Sequence, residues 1–361
     1  MQTKIVPIYT PSHNYEVMIG NGLLKEVGAL CAPVLKKNSK VAIITDETVG
    51  ALYATQVQES FIHHGYDVCR YAFPAGEASK TPGTLLHILN FLAENQITRK
   101  DMLLALGGGV VGDITGFAAA TYLRGMPYIQ LPTTLLAAID SSVGGKTAVN
   151  LPAGKNLMGA FYQPALVVCD TDTFATLPAN ILADGMAEAV KYGVLASESV
   201  FALCGKGPKH IAQTEINRLV ETCVTIKADV VAQDEKDTGV RQCLNLGHTI
   251  GHAIERCSNY AISHGAAIGI GLYLMSIAAV QLDGADAALP GQIKTVLQTW
   301  NLPIAIDYSV QALYDAALHD KKRAGAHITI VVPLGVGRYT LKEIPVESLS
   351  TYIEVGMEGI A

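Results

Sequence analysis

Short apolar runs alternate with amphipathic stretches over the first 170 residues of the chain. Runs of four to six apolar residues separated by helical segments are typical of parallel strands joined by crossover helices. The predicted strands cover residues 41–45, 68–73, 102–106, 128–131 and 166–169. The pattern therefore predicts an open, Rossmann-like parallel sheet that binds its ligand at the carboxyl ends of the strands.

The pattern changes after residue 177, where long helical periods replace the short runs. Only residues 327–333 and 338–344 still favour strands, and helices are predicted for residues 179–197, 211–234, 249–257 and 266–282. A chain of 361 residues also exceeds the usual size of one hydrophobic core. We therefore predict an α/β plus α protein, with a nucleotide-binding α/β domain in residues 1–176 and a mostly helical metal- and substrate-binding domain in residues 177–361.

Residues 266–282 form a mostly apolar stretch without a charged residue. A membrane span needs about 20 such residues, and one candidate in an otherwise mixed sequence is more often a buried helix. We predict a central core helix here and no membrane partner.

Composition narrows the class of partner. Half of the residues are hydrophobic, 16% are charged and the net charge is −6, which argues against nucleic acid and anionic membranes and leaves room for a local basic pocket. Seven scattered cysteines without a C-x-x-C pair are typical of reduced thiols. With no apolar signal core near the N-terminus, the expected location is the cytoplasm.

Three of the ten histidines, His248, His252 and His264, fall within seventeen residues. On a helix, His248 and His252 would share one face, where two imidazoles can bind a divalent metal. The alternative is a half-exposed pair bonded to carboxylates. Upstream, Glu188 and Lys191 stand three residues apart in an apolar helical segment, where burial requires either an ion pair or a metal.

A glycine-rich loop at residues 107–113 follows a predicted strand, precedes a helix and formally matches G-x-G-x-x-G. Such a loop admits a pyrophosphate to the backbone and to the helix N-terminus. The match is weak alone, because it lies on a late strand and lacks an acidic residue about 20 positions on. Asp46, at the end of an earlier strand, is an alternative partner for a ribose hydroxyl. A glycine turn used only for packing is the competing interpretation.

Two further Gly-rich segments, residues 140–147 and 154–156, contain Asp140, Lys146, Lys155 and Asn156. Cations, a carboxylate and an amide in glycine turns suit an anionic, hydroxylated substrate. Solvated loop charges are the alternative. The segment around Lys146 lacks the upstream glycine spacing of a P-loop, which disfavours a nucleoside triphosphate. Thr133 and Thr134, after the preceding strand, can cap a helix or contact a cofactor.

Taken in order, these segments resemble the 3-dehydroquinate synthases, a family of sugar-phosphate cyclases. The resemblance runs through nearly the whole chain, and the number and order of its motifs are specific. They lie at residues 76–81, 107–113, 122–125, 132–134, 140–146, 154–156, 187–191, 245–252, 264–265 and 320–322.

The resemblance implies NAD as cofactor and a Zn²⁺ or Co²⁺ ion held by Glu188, His248 and His264. His252 then becomes a nearby proton-transfer residue, not a ligand. The implied substrate is the phosphorylated sugar acid 3-deoxy-D-arabino-heptulosonate 7-phosphate. It is converted to 3-dehydroquinate and phosphate by transient oxidation, phosphate elimination, reduction, ring opening and intramolecular aldol closure, a step of the shikimate pathway of aromatic amino-acid biosynthesis.

The resemblance also implies a homodimer and two sets of site residues. The residues expected to contact substrate are Arg124, Asp140, Lys146, Lys155, Asn156, Lys191, Lys227, Arg241, Asn245, His252, Lys321 and Lys322. The residues expected to contact NAD are Asp46, Glu77, Lys80, Gly108, Gly109, Asp113, Thr133, Thr134, Asp140, Lys146, Lys155 and Thr176.

One position departs from the family pattern, because Ala266 stands where the family commonly has Glu after His-Gly. We expect this position to lie outside the ligand set. Three alternatives stay open: another cyclase such as a 2-deoxy-scyllo-inosose synthase, a metal-dependent polyol or glycerol-phosphate dehydrogenase, and an inactive binding protein. Charged residues in apolar settings argue against the last, because unused buried charges are destabilising.

Overall fold

The computed structural model describes residues 3–319 and 326–359, and these form two compact units. The first unit contains the described residues up to Leu177 together with Lys227–Lys236. The second contains Pro178–Ile226 and the described residues from Asp237 onward. The return of Lys227–Lys236 to the first unit was not predicted from the sequence.

A mixed sheet forms the centre of the first unit. Among the described residues it has seven strands in the order β1-β2-β9-β6-β5-β3-β4, with β1 and β2 antiparallel and all other neighbours parallel. The strands are β1 (Lys4–Ile8), β2 (Tyr15–Gly20), β3 (Lys40–Asp46), β4 (Asp67–Phe73), β5 (Met102–Gly107), β6 (Tyr128–Pro132) and β9 (Leu166–Asp170). The predicted parallel strands are confirmed, and the β1–β2 hairpin was missed.

The apolar runs form strands because both faces of the sheet are covered. Successive side chains alternate between faces, so Val41 and Ile43 pack with Phe61 while Ala42 and Ile44 pack with Ile88. The helices of this unit are α1 (Val27–Cys31), α2 (Glu47–Val49), α3 (Thr55–His63), α4 (Pro82–Glu94) and α5 (Gly109–Thr121).

A second hairpin in the first unit joins β7 (Lys146–Leu151) to β8 (Gly154–Phe161). The sequence analysis placed Lys146, Lys155 and Asn156 in glycine-rich turns, and this was wrong, because all three lie on these strands. The sequence concealed the hairpin because β8 is largely exposed and therefore lacks the apolar alternation of a half-buried strand.

The second unit is mainly helical in its described residues, as predicted, and contains an antiparallel hairpin of β10 (His327–Gly335) and β11 (Arg338–Pro345). Its helices are α6 (Ala179–Ala196), α7 (Glu198–Cys204), α8 (Gln213–Gln233, of which the part from Lys227 belongs to the first unit), α9 (His248–Cys257), α10 (His264–Asp283), α11 (Leu289–Thr299), α12 (Val310–His319) and α13 (Leu349–Glu358).

Helix α10 is the core helix of this unit. By length and composition it could cross a membrane, but 83% of its most apolar window is buried inside the fold. It packs against α6, α9, α11, α13 and β10. Its apolar sequence is therefore explained by burial on all sides.

Candidate metal centre

Helix α6 places a charged pair in the apolar interior of the second unit. Glu188 and Lys191 are each 1% exposed, and Lys191 Nζ lies 2.5 Å from Glu188 Oε2. The spacing of three residues puts both side chains on one helix face. The ion pair is made by Oε2, and the second carboxylate oxygen, Oε1, lies on the other side of the carboxylate.

Helix α9 begins directly at His248, preceded by Gly247 in the left-handed region with φ 78°. A Cβ at Gly247 would lie 2.9 Å from the backbone nitrogen of Leu272 in α10, so glycine is required both by conformation and by space. The turn brings the carbonyl oxygen of Leu246 to 3.1 Å from His248 Nδ1. The other ring nitrogen, Nε2, is thereby directed away from the backbone.

Helix α10 begins at His264, and its first turn lies against α6. A Cβ at Gly265 would stand 2.3 Å from the carbonyl oxygen of Asp184, so only glycine permits this approach. The Asp184 carboxylate accepts hydrogen bonds from Ser263 Oγ and from the Ala266 backbone, and so caps α10 from outside the helix. Burial raises the pKa of Asp184.

These three helices bring Glu188, His248 and His264 together. Glu188 Oε1 lies 3.4 Å from His248 Nε2 and 3.4 Å from His264 Nε2, and one ligand atom from each residue lies within 4.8 Å of the others. Ligands about 2.0–2.1 Å from a tetrahedral ion stand about 3.3–3.4 Å apart. The donor set and its spacing therefore fit a divalent metal with a further position open.

The electrostatic settings of the two histidines differ. Burial lowers the pKa of His248 to about 3, although Glu188 acts in the opposite direction. Burial would also lower the pKa of His264, but hydrogen bonds and charges from Glu188 and Glu255 outweigh it and raise this pKa to about 10. His248 is thus held neutral, the form that binds metals, and His264 lies between two carboxylates.

His252 shares a helix face with His248, with ring centroids 5.2 Å apart. His252 is exposed, and its Nε2 lies 4.0 Å from Glu255. It does not belong to the group formed by Glu188, His248 and His264. The His248–His252 pair expected from the spacing alone therefore does not converge on one point with Glu188, and His264 takes that place. Glu255, three residues after His252, was assigned no role by the sequence analysis.

The remaining predicted residues of the second unit lie near α9 or outside the described range. Arg241 is 2% exposed and Asn245 is exposed, and both belong to a short 3₁₀ segment (Val240–Asn245) just before α9. Lys321 and Lys322, predicted to bind phosphate, lie outside the described residues.

In the first unit, Lys80 organises a polar cluster at the carboxyl end of the sheet. Its Nζ lies 2.6 Å from Asp113 Oδ2 and 2.5 Å from Asn156 Oδ1. Asn150 accepts from the Asn156 backbone and donates to Glu77. Burial raises the pKa of Asp113 despite the attraction of Lys80. The structure thus joins Glu77, Lys80, Asp113 and Asn156, with Asn150 as a member that the sequence analysis missed.

A second cluster joins Asp140 to Lys227, which reaches this unit on the last part of α8. Lys227 Nζ donates to the carbonyl oxygen and to Oδ1 of Asp140, at 2.7 and 2.8 Å. Lys227 is buried with 5% exposure. Two predicted residues 87 positions apart are thereby brought together.

The segment with Lys227 is fixed at its other end by Glu235. This buried carboxylate accepts hydrogen bonds from Ser12 and from Gln163 Nε2. Burial opposes ionisation, but these hydrogen bonds and Lys236 lower the pKa of Glu235. No local sequence pattern indicates this contact, because Ser12 lies 223 positions away.

Several predicted cofactor residues have structural partners of their own. Asp46 caps α2 through Val49 N at 2.9 Å, and Thr134 accepts from Ala137 N at 3.1 Å. Thr176 Oγ1 lies 2.6 Å from the Tyr53 hydroxyl. Thr133 is buried at the end of β6. These contacts hold the loops in place. They do not test the predicted cofactor roles, which stay predictions.

The glycine loop ends β5 and starts α5, as predicted. A Cβ at Gly108 would lie 3.2 Å from Thr134, and one at Gly109 would lie 3.0 Å from Ser141. Packing therefore accounts for part of the glycine requirement. Lys146 and Arg124 are exposed and Lys155 is half-buried, and Arg124 has a left-handed φ of 67°.

The Ala266→Glu substitution, at the position that departs from the expected family pattern, is predicted to destabilise this chain. Ala266 is buried at 7% exposure, and its N–H donates to Asp184. A glutamate at this position would bury a second carboxylate beside that of Asp184. The free energy of unfolding should therefore fall by about 1–3 kcal/mol. Thermal unfolding checks this, with Ala266→Gln as an uncharged control of the same size. A more stable and faster Glu variant would contradict it.

Comparison with known families covers most of the chain. Residues 70–184 match the family model for 3-dehydroquinate synthase N-terminal domains, and residues 185–323 match the model for the C-terminal domains. A 3-dehydroquinate synthase of Neisseria meningitidis is 44% identical over 346 residues, which cover 94% of this chain and 96% of the relative. One of Geobacter metallireducens is 41% identical and covers 95% of this chain and 96% of its own length.

Solved structures agree on the fold. A crystal structure of 2-deoxy-scyllo-inosose synthase complexed with carbaglucose-6-phosphate, NAD⁺ and Co²⁺ covers 98% of this chain and 100% of its own, with a TM-score of 0.87. Its sequence identity is 24%, so this likeness concerns the architecture alone.

Proposed function

Because the chain belongs to the 3-dehydroquinate synthase family, we propose that it converts 3-deoxy-D-arabino-heptulosonate 7-phosphate to 3-dehydroquinate and inorganic phosphate. The observation that carries the proposal is the convergence of Glu188, His248 and His264, with Nε2 of each imidazole 3.4 Å from Glu188 Oε1, in a chain that matches the family over nearly its full length. Identity of 41–44% to these synthases, against 24% to the inosose synthase, favours this substrate over that of the other cyclase.

Glu188, His248 and His264 are the residues proposed to hold the zinc or cobalt ion. The ion would supply Lewis-acid chemistry, polarising an oxygen of the substrate. The chain itself fixes the carboxylate through Lys191 and keeps His248 neutral by burial. His252, exposed beside this cluster, is proposed to move a proton to or from a substrate hydroxyl.

In the first unit, the glycine loop at the start of α5 and the cluster of Lys80 and Asp113 are proposed to bind NAD. NAD would accept a hydride from the substrate and later return it, so the reaction has no net redox change. The loop offers free N–H groups at a helix N-terminus, which suits a pyrophosphate. The proposed contacts also include Asp46, Glu77, Thr133, Thr134 and Thr176.

The anionic substrate needs fixed cations and hydrogen-bond donors. Arg124, Lys146, Asn156 and one of Lys321 or Lys322 are proposed for the phosphate. Arg241 and Lys227 are proposed for the carboxylate and hydroxyls, where Asp140 holds Lys227 in place. Lys155 and Asn245 complete the proposed set. The departing phosphate can take up a proton itself, which reduces the need for a strong protein base.

The decisive assay incubates the protein with the heptulosonate phosphate, NAD and Zn²⁺ and follows phosphate and dehydroquinate together. We expect equal amounts of both products and no net NADH. Glucose 6-phosphate serves as the substrate control for an inosose synthase. Net NADH from glycerol or glycerol phosphate would indicate a dehydrogenase instead, and release of phosphate from glucose 6-phosphate alone would indicate the other cyclase.

We further propose a cytoplasmic homodimer. The seven cysteines, which all lie in the described residues, form no disulfide, and this supports a reducing compartment. Sedimentation at several concentrations tests the dimer, which a single species of 38.2 kDa would contradict.

A further inference from the structure

The imidazole of His264 has two carboxylates as neighbours, one at each ring nitrogen. Nε2 lies 3.4 Å from Glu188 Oε1, and Nδ1 lies 3.2 Å from Glu255 Oε2. Glu255 is 4% exposed and belongs to α9, whereas His264 opens α10. A buried carboxylate from another helix therefore contacts the side of this ring that faces away from the candidate metal centre.

We propose that Glu255 is a positioning residue that holds His264 in its Nδ1–H form and so presents Nε2 to the metal. This inference rests on the metal site proposed above. A neutral imidazole has one N–H and one lone pair, and an ionised carboxylate can only accept a hydrogen bond. When a metal replaces the second proton of this ring, the contact with Glu255 keeps the remaining proton on Nδ1 and leaves the lone pair on Nε2, toward Glu188.

The second histidine follows the same arrangement with a backbone partner. His248 Nδ1 lies 3.1 Å from the Leu246 carbonyl oxygen, which can only accept. Its lone pair is therefore also on Nε2, which lies 3.4 Å from the same Glu188 oxygen. Both imidazoles thus use Nδ1 for a hydrogen bond, and the Nε2 atoms of both lie near the same Glu188 oxygen.

His252, Glu255 and His264 also have ligand atoms close enough to suggest a second metal site. The geometry favours a supporting role for Glu255 instead. His252 Nε2 is 4.0 Å from Glu255 Oε2, and the one nitrogen that His264 would offer to this second ion is the nitrogen that donates to Glu255. A ring that serves both ions would have to lose both its protons.

Outer carboxylates of this kind raise the basicity of a ligating histidine and fix its orientation, and removing one commonly weakens metal binding 10–100-fold. Another hydrogen-bonded carboxylate of this unit is Asp283, at the opposite end of α10. It bonds to Lys342 Nζ at 2.5 Å and to the Tyr352 hydroxyl. Asp283→Asn removes a partly buried, hydrogen-bonded carboxylate far from the metal ligands and is the matched control.

The test measures Zn²⁺ affinity of the full-length metal-free protein by competition with a chromogenic chelator. We expect one ion per chain, affinity about 10-fold weaker in Glu255→Gln and up to about 100-fold weaker in Glu255→Ala, and no change in Asp283→Asn. In the zinc-loaded wild type, ¹⁵N spectra of the histidine rings should show protonated Nδ1 and coordinated Nε2 for His248 and His264.

The outcomes separate this inference from the metal site itself. Failure of the wild type to bind Zn²⁺ would remove the metal site. Tight binding that is equal in wild type and Glu255→Gln, or zinc at Nδ1 of His264, would overturn the role of Glu255 alone. Two ions per chain, with the second lost in Glu255→Gln, would also overturn it, because Glu255 would then be a ligand. The isosteric Gln variant keeps the test valid should the Ala variant not fold.

Discussion

His264→Ala is expected to lower turnover at least about 1,000-fold while leaving a folded protein that binds NAD. The variant removes one of three side chains proposed to hold the metal, and Lewis-acid stabilisation of several kcal/mol corresponds to a factor of this size. The residues proposed to bind NAD belong to the first unit, whereas His264 belongs to the second. Steady-state phosphate release with added Zn²⁺ measures turnover. Metal content after dialysis measures metal binding, and NAD titration measures cofactor binding.

An exposed histidine of the same unit gives the matched control for this substitution. His210→Ala changes a solvent-facing imidazole in the segment before α8 and should retain activity and metal content. Glu188→Ala should match His264→Ala in lost turnover. Near-normal turnover in either ligand variant would exclude the assigned ligand set.

Lys191→Met is expected to destabilise the metal-free protein by about 3–5 kcal/mol, because it removes the cation that lies 2.5 Å from the buried Glu188 carboxylate. For a unit of this size the loss corresponds to a fall in Tm of roughly 6–20 °C. Added Zn²⁺ should restore part of the loss, since a bound cation again balances the carboxylate. Thermal unfolding with EDTA and with Zn²⁺ measures both effects.

Two further variants make the test specific. Lys206→Met breaks an ion pair of similar length, Lys206 Nζ to Glu215 Oε1 at 2.6 Å, on the exposed surface, and should change stability little. The double variant Glu188→Gln/Lys191→Met should recover much of the stability of the metal-free protein, because neither charge is then buried. A metal-free Lys191→Met as stable as wild type would show that the pair contributes little.

Much of the fold was predictable because its central elements carry strong local patterns. Strands such as β5 are buried on both faces and appear as continuous apolar runs, and α10 appears as an uncharged helix. The β1–β2 hairpin and the β7–β8 hairpin escaped prediction. Their residues are partly exposed, and their pairing depends on partners that the local pattern does not specify.

The candidate site was harder to predict from local sequence patterns alone. The spacing of His248 and His252 suggested a pair of ligands, whereas the family resemblance indicated His264, and the structure brings His264 to Glu188. This contact depends on how closely the start of α10 packs on α6 at Gly265, which no local pattern expresses. Glu255 was missed for the same reason, since its importance comes from a ring that opens the next helix.

The path of the chain limits how the protein can be divided into fragments. Lys227–Lys236 completes the first unit, where Lys227 bonds to Asp140 and Glu235 to Ser12 and Gln163. A fragment that stops at Leu177 would leave Asp140 without this lysine and Gln163 without its carboxylate acceptor. Complementation by a peptide spanning the end of α8, or a circular permutant that carries it, would be needed to obtain this unit in isolation.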